Sequence, residues 1–316
     1  MYKLDKIDRK LLFELDQNSR LPDVSIAKRI GRSRESVRYR IEQLQKKGIV
    51  RNFTTIINFN KIGYQGYELY LNLTGTQKER DELRDYVMGI DHLFWLGVSE
   101  GSWDVGLTIF AKSHKDFFEM KQNLFQKFRH LILKKDAVIV IYELMFPMKY
   151  IHGKVRDPVK IFGDVDTFPI KDLDLQILKI LVGNARISLV KLAQQMKSSV
   201  DIIRGRMKKL SDSGVIVKYS VDIDHNKLGK HLFKVFLYFK KLSKLNEKKL
   251  IEYCKQKPEI THFGRYISPW EVELDIMAET FQDFNKIIRN IKDEFADILV
   301  DTQASSVSED YLLPSK

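Results

Sequence analysis

Apolar residues in the first sixty positions recur with helical spacing. Leu11, Leu12 and Leu15 follow Asp5-Lys6-Ile7-Asp8 on a one-sided stripe, which predicts an amphipathic helix interrupted near Asn18. Val24–Ile30 predicts a second, short helix, begun after Pro22 and closed by Gly31 as its C-terminal cap. Ser33 then offers a hydroxyl to uncapped amides, and Val37, Ile41 and Leu44 form the buried stripe of a third helix that Gly48 ends. From Ile49 the pattern changes to alternation through Phe53–Ile57, which predicts a strand. Three helices with a tight turn between the second and third, followed by strand, is a winged form of helix-turn-helix.

Beyond residue 63 the period changes again. Tyr67–Leu73 predicts a strand, Gln77–Met88 a helix, Phe94–Val98 and Trp103–Phe110 two strands, Phe117–Phe128 a helix and Ala137–Tyr142 a last strand. That order, βαββαβ, is ferredoxin-like. The whole pattern then returns. Residues 4–63 overlay 170–229 without a gap at an offset of 166, placing Asp8 on Asp174, Arg20 on Arg186, Ser33 on Ser199 and Arg40 on Arg206. The match resumes at an offset of 167, pairing Gly97 with Gly264, Trp103 with Trp270 and Pro147 with Pro314. The second βαββαβ segment runs through Phe233–Phe239, Glu247–Lys255, Thr261–Tyr266, Trp270–Ala278 and Phe281–Ile291, with a weaker strand near Ala304–Val307. The predicted class is therefore α+β, a tandem repeat of winged helix-turn-helix plus ferredoxin-like domain. Its parts are 1–63, 64–146, a linker at 147–169 (Pro147–Pro169), 170–229 and 230–316. A period this long marks a duplicated module and not a solenoid.

Charge adds a function class. The net charge of +12 is unevenly placed: residues 1–63 hold 15 Lys/Arg against 7 Asp/Glu, and 170–229 hold 11 against 6. The segments 64–169 and 230–316 are close to neutral. Two basic modules on two neutral ones are the footprint of a protein that binds a polyanion with part of its mass, where an ordinary solvated surface would spread the charge. Setting Val37, Ile41 and Leu44 inward leaves Glu35, Ser36, Tyr39, Glu42 and Lys46 outward, with Arg38 and Arg40 flanking that face. A helix in a major groove needs short polar or aromatic groups toward bases and long cations toward phosphates. The candidate DNA-binding residues are Arg34, Ser36, Arg38, Tyr39 and Arg40, with Arg204, Arg206 and Lys208 in the second copy.

The set Leu4, Asp5, Asp8, Leu11, Leu12, Asn18, Arg20, Ala27, Ile30, Gly31, Ser33, Val37, Arg40, Ile41, Leu44, Gly48, Ile49 and Gly63 resembles the leucine-responsive/asparagine (Lrp/AsnC) regulators, and the resemblance covers both repeats. It implies a DNA-binding winged helix joined to a βαββαβ (RAM-type) domain that pairs with a partner and often senses an amino acid. The resemblance extends to a sensing loop at Gly97, Gly101, Trp103 and Asp104, making Ser99, Gly101 and Asp104 candidate effector residues. A tight hairpin in which Asp104 satisfies local amides explains the same residues. In the second copy Ser268, Pro269 and Glu271 replace Gly101, Ser102 and Asp104, and Asp201, Ile202 and Gly205 replace Glu35, Ser36 and Tyr39. A glycine inside a helix costs about 1 kcal/mol against alanine, so the second module is expected to read DNA weakly or through phosphates alone.

Other chemistry is not indicated. Gly97-Val98-Ser99-Glu100-Gly101 matches the nucleophile elbow of serine hydrolases, but that elbow needs a strand turning into a helix, and here strand follows. Seven histidines without ligand spacing and a single cysteine, Cys254, point to no metal site and no intrachain disulfide. No catalytic residue or cofactor is expected, and the start lacks a signal-peptide core, so a cytoplasmic protein without membrane partners is the expectation. The partners expected are double-stranded DNA and, as an option, an amino acid. The two βαββαβ domains are expected to pair sheet to sheet as an intrachain pseudo-dimer, with room for homo-oligomers, on a linker long enough for many arrangements. Two alternatives remain. Sirohaem decarboxylases share the tandem architecture, although Pro269-Trp270-Glu271-Val272 departs from their Trp-Pro-Tyr-Asn-type motif and no histidine follows nearby. A nonspecific architectural DNA-binding protein is the other.

Overall fold

The computed structural model describes residues 2–163 and 166–312, so Pro314 and the end of the last segment lie outside the described residues. The first half comprises α1 (Lys6–Gln17), α2 (Asp23–Ile30), α3 (Arg34–Lys46), β1 (Val50–Ile57), β2 (Gln65–Leu73), α4 (Gln77–Met88), β3 (Leu93–Gly101), β4 (Val105–Ala111), α5 (His114–Lys127) and β5 (Ile132–Met145). Between the halves lie α6 (Lys149–His152) and β6 (Val159–Phe162). The second half repeats the order with α7 (Asp172–Gly183), α8 (Leu189–Gln195), α9 (Val200–Asp212), β7 (Ile216–Ile223), β8 (His231–Phe239), α10 (Lys244–Gln256), β9 (Ile260–Ile267), β10 (Val272–Ala278), α11 (Phe281–Glu294) and β11 (Leu299–Leu312).

Local chemistry sets the helix starts. Asp5 Oδ1 accepts from the amides of Ile7 and Asp8, while an Asp8 carboxylate oxygen accepts from the Asp5 amide, a reciprocal cap on α1. Ser33 and Ser199 cap α3 and α9 by accepting from Ser36 N and Ile202 N at 3.1 and 3.2 Å. Gly31 ends α2 with φ +69°, the left-handed turn that lets α3 leave at an angle.

The two halves join through their strands. β1 and β7 pair antiparallel, Thr54 opposite Ser220, into a two-stranded ribbon. Each first helix packs on the ribbon strand of the other half, α1 on β7 and α7 on β1. The contacts repeat across the halves. Ser19 N donates to Tyr219 O (2.9 Å) and Ala185 N to Phe53 O (2.7 Å), with Arg20 over the Tyr219 ring and Arg186 over that of Phe53. The remaining strands run β2-β4-β3-β11-β8-β10-β9-β5, and β2 also pairs with β5, so eight antiparallel strands close into a ring with β6 added on β5. The seams are β3–β11 and β5–β9, which are equivalent under the repeat.

That closure explains two strands whose length the sequence underestimates. β5 pairs with β2 over Ile132–Ile139 and with β9 over Ile139–Met145. β11 likewise pairs with both β8 and β3. A strand that changes partner changes the face it buries, so its apolar alternation breaks and it reads as short or weak. β4 starts at Val105 and not at Trp103, because Ser99 Oγ donates to Trp103 O (2.6 Å) and holds a turn there. Helices α4 and α5 cover one half of the ring's outer face through Leu69, Leu107 and Leu124, and α10 and α11 cover the other through Val235, Leu274 and Ile291. The ring interior holds Tyr70, Trp95, Trp103, Phe236 and Trp270, with Trp270 stacked on Phe236 at 4.0 Å.

The connecting segment is not a free tether. β6 extends the sheet along β5, and Lys149 is buried, its Nζ donating to the carbonyls of Cys254 (2.7 Å) and Lys255 (2.9 Å) at the end of α10. The expectation of many arrangements of the halves is corrected by these contacts: a buried ammonium holds its place because leaving its carbonyl partners unmatched is costly. No described helix is long and apolar enough to cross a membrane.

Candidate nucleic-acid interface

Helix α3 is built as its pattern requires, with Val37, Ile41 and Leu44 buried. Its outer surface exposes Arg34, Glu35, Arg38 and Tyr39, with Ser36 half-buried. Tyr39 stands 62% exposed, a large aromatic surface for a helix otherwise packed inward. Arg38 Nε meets Glu42 at 3.0 Å with both side chains in solvent, a pairing worth less than about 1 kcal/mol and easily exchanged for a phosphate. On α9, Ile203, Met207 and Leu210 are buried, Ile202 is 53% exposed, and Gly205 has open space where a side chain would stand. Arg204 and Lys208 are exposed and pair along the helix with Asp201 and Asp212.

Arg40 and Arg206 require a correction. Both were expected to flank the reading face as free cations, yet both turn back onto the first helix of their own module. Arg40 Nη1 donates to Asp5 Oδ2 (2.8 Å) and Asp8 Oδ1 (2.6 Å). Arg206 Nε donates to Asp174 Oδ1 (2.6 Å) and its Nη2 to Asp174 Oδ2, with Asp174 fully buried. The hydrogen bond to Asp5 leads in holding Arg40 more strongly protonated than usual, as that to Asp174 does for Arg206. Three positions beyond a buried residue on a helix returns toward the core side. A buried carboxylate there claims the guanidinium, because an unpaired buried charge is expensive.

The candidate effector residues also find local uses. Asp104 accepts from Leu73 N (2.7 Å) and meets Arg80 Nη1 at 3.2 Å. Ser99 is buried near the end of β3, and Gly101 (φ +136°) lies against β11, where an added Cβ would stand 2.5 Å from Ala304 O. The three residues close the β3–β4 turn onto the last strand of the other half, and their polar groups are already matched. This is the arrangement of the hairpin alternative, in which Asp104 satisfies a nearby amide.

Sequence reading missed the polar interior of the strand ring. Between the β1–β7 ribbon and the ring lies a cavity of about 210 Å³, lined in part by Glu68, Glu143, Asp275, Asp310, Lys234 and His262. The Tyr70 hydroxyl has one hydrogen but lies 2.6 Å from Glu68 Oε2 and 2.7 Å from Glu273 Oε2. One of those carboxyls therefore carries a proton and donates to the Tyr70 oxygen. It is Glu68, since Lys234 Nζ donates to Glu273, whereas burial and then the charge of Glu273 push the Glu68 carboxyl well up. Burial raises Asp310 too, opposed by the hydrogen bond from Trp95 Nε1. Burial alone would lower His262, but Glu143 beside it raises it. The signal was in the sequence as charges on alternate positions of apolar strands: Glu68 in β2, Lys234 in β8, Glu273 and Asp275 in β10.

The family described as winged helix-turn-helix DNA-binding matches residues 4–51 and 170–217, which are the two three-helix modules and the starts of β1 and β7. An uncharacterized HTH-type transcriptional regulator of Pyrococcus horikoshii is 30% identical over 115 residues, 36% of this chain and 77% of the relative. The chain belongs to the Lrp/AsnC family of HTH-type transcriptional regulators. The HTH-type transcriptional regulator LrpA of the same organism is 28% identical over 140 residues, 43% of this chain and 96% of LrpA, so one such regulator corresponds to one repeat. Over its full length the chain is similar in fold to a solved siroheme decarboxylase, NirDL. The TM-score is 0.65 at 12% identity, covering 97% of this chain and 92% of that one. At that identity the likeness is one of fold, and family membership with a DNA-binding helix-turn-helix makes the protein a transcriptional regulator acting on DNA.

Proposed function

We propose that the chain reads DNA as an intrachain pseudo-dimer, with base discrimination carried by α3 and phosphate contact shared by α3 and α9. The observation that carries this reading is the pairing of β1 with β7, which ties the two three-helix modules to one ribbon, together with unlike outer faces on their third helices. Tyr39, Ser36 and Arg34 face the bases or the nearest phosphates, and Arg38, Arg204 and Lys208 supply cations to the phosphate rims. Arg40 and Arg206 hold the recognition helices in place. Selection from random duplexes at physiological salt tests the reading. A motif with one strongly specified half and one tolerant half is expected. Enrichment of no motif, with binding that collapses as salt rises, would point to nonspecific architectural binding. Scattering from the free chain tests the pseudo-dimer: two separated halves would sink it.

The cavity chemistry disfavours the enzyme reading. NirDL is described as a siroheme decarboxylase and has been solved with an iron-uroporphyrin III analogue. A polycarboxylate tetrapyrrole calls for cationic walls and a pocket in the range of ~300–1,000 Å³ typical of large ligands. Here the cavity is about 210 Å³ and rich in carboxyl groups. An amino-acid effector at Ser99, Gly101 and Asp104 would have to break the bonds of Asp104 to Leu73 and Arg80. Leucine or another amino acid changing the DNA affinity of the wild type, but not of Asp104→Asn, would support that role.

A further inference from the structure

The cavity between the ribbon and the strand ring has a composition that neither DNA reading nor ring closure calls for. One part of its wall is apolar and aromatic, including Phe94, Trp95, Phe110 and Leu232. Another part presents Glu68, Glu143, Asp275 and Asp310 beside the cations Arg51, Lys234 and His262, and Arg51 is already taken by Asp222 at 2.8 Å. Lys234 is already committed: it pairs with Glu273 and lies 3.2 Å from Asp275 Oδ1. His262 reaches Glu143 at 3.8 Å through Nε2, while its Nδ1 is buried with no hydrogen-bond partner among the described residues. A purely structural interior would be filled by side chains or would match its polar groups. This one leaves space beside surplus acid.

We propose that this cavity is a binding site for a compact organic ammonium ion with an apolar body. The ammonium group would take the carboxylates as acceptors beside Lys234, whose Nζ already lies 4.8 Å from the Trp95 ring centroid, and the hydrocarbon would lie along the apolar wall. Without a ligand, crowding keeps Glu68 protonated. An arriving cation supplies the missing positive charge, so Glu68 ionises and its proton leaves to solvent. The cavity is also walled by Thr54, Ile56, Ser220 and Asp222 of the ribbon that carries both DNA-binding modules. An occupant would therefore touch the ring and the ribbon together. Its use as an effector rests on the regulator reading, but its binding does not.

Titration calorimetry of the full chain without DNA tests the site, with isopentylamine as probe. Isopentyl alcohol has the same shape without charge, isovalerate has the opposite charge, and leucine is isopentylamine with a carboxylate added. Saturable one-to-one binding of the amine is expected, at least tenfold tighter than the alcohol or leucine, with no binding of isovalerate. Glu68→Gln mimics the protonated resting state, so it should keep the fold while weakening the amine at least tenfold. Asp310→Asn, which retains an acceptor for Trp95, should weaken it similarly. No saturable binding, equal binding of alcohol and amine, or an affinity untouched by both substitutions overturns the proposal. Because DNA is absent from the cell, each of these outcomes leaves the DNA reading standing or falling on its own selection experiment.

Discussion

On α3 the residues turned to solvent are Glu35, Arg38 and Tyr39; at the same places α9 carries Asp201, Arg204 and Gly205. Turned inward are Val37, Ile41 and Leu44 on one helix and Ile203, Met207 and Leu210 on the other. The inward sets are exchangeable hydrophobes of similar size, and in both modules an arginine, Arg40 or Arg206, binds the first helix. The outward sets keep their charges at Glu35/Asp201 and Arg38/Arg204 and differ in kind at Tyr39/Gly205, an aromatic ring against bare backbone. Packing constrains every atom of a buried face, so the duplication has kept it. An exposed face is constrained only by what it touches outside the molecule, and that is where the two modules have parted.

The difference can be probed first through the shared arginine. Arg206→Ala leaves the fully buried Asp174 without its partner and should cost about 3–5 kcal/mol in chemical denaturation of the full chain. Arg40→Ala should cost less, roughly 1.5–3 kcal/mol, because Asp5, one of its two acceptors, is half exposed and can be rehydrated. Equal losses would mean that the two pairs do the same work despite their unequal burial.

A second contrast lies at Phe59 and His225, which the repeat aligns. Phe59 stacks on Phe110 at 4.3 Å, while His225 is half-buried and its Nδ1 lies 2.7 Å from the Tyr150 hydroxyl. Burial, then Arg51, pulls His225 down to about 4 from an ordinary value near 6.5. A histidine kept neutral in the fold binds its proton more readily when unfolded. Its contribution is complete above about pH 6.5 and is lost as pH falls toward 4, amounting to roughly 2–3 kcal/mol at pH 4.5. The double substitution His225→Phe with Tyr150→Phe should shrink the acid-induced loss by that amount. An unchanged pH profile would remove this asymmetry between the halves.

Tyr39→Ala should cost about 1–3 kcal/mol on the selected duplex and little on random DNA, measured by fluorescence anisotropy. Arg38→Ala should weaken both alike and lower the salt slope by about one. If both substitutions acted uniformly on all sequences, α3 would be no more a reader than α9. At the smallest scale, Gly205→Ala should stabilise the chain by about 1 kcal/mol, since its Cβ would meet nothing within 4 Å. Destabilisation would show that the glycine is required by something other than an idle helix face.

Much of this was legible from residues alone where the physics is local. The cap at Ser33, the turn at Gly31 and the buried stripe of α3 depend on neighbours within a few positions, and they appear as read. Strand lengths failed at β5 and β11, whose partners lie in both halves. Site residues divided the same way. Tyr39 and Arg38 point outward because helical periodicity alone sets their direction, whereas the fate of Arg40 depended on carboxylates thirty positions away.

The sequence by itself determined the duplication, the class of each module, the placing of basic charge in the three-helix segments and the outward face of α3. Each follows from composition, from identities recurring at a fixed offset, or from a period of two or 3.6 residues, and none needs a distant partner. Only the tertiary structure decided that the strands close into one ring, that the connecting segment is laid into it, that Asp104 is spent on Leu73 and Arg80, and that five carboxyl groups share an interior with Lys234 and His262. Those outcomes depend on which groups meet across about thirty to two hundred residues of chain. Pairing energies in a buried, low-dielectric interior are set by that meeting and not by the order of residues along the chain.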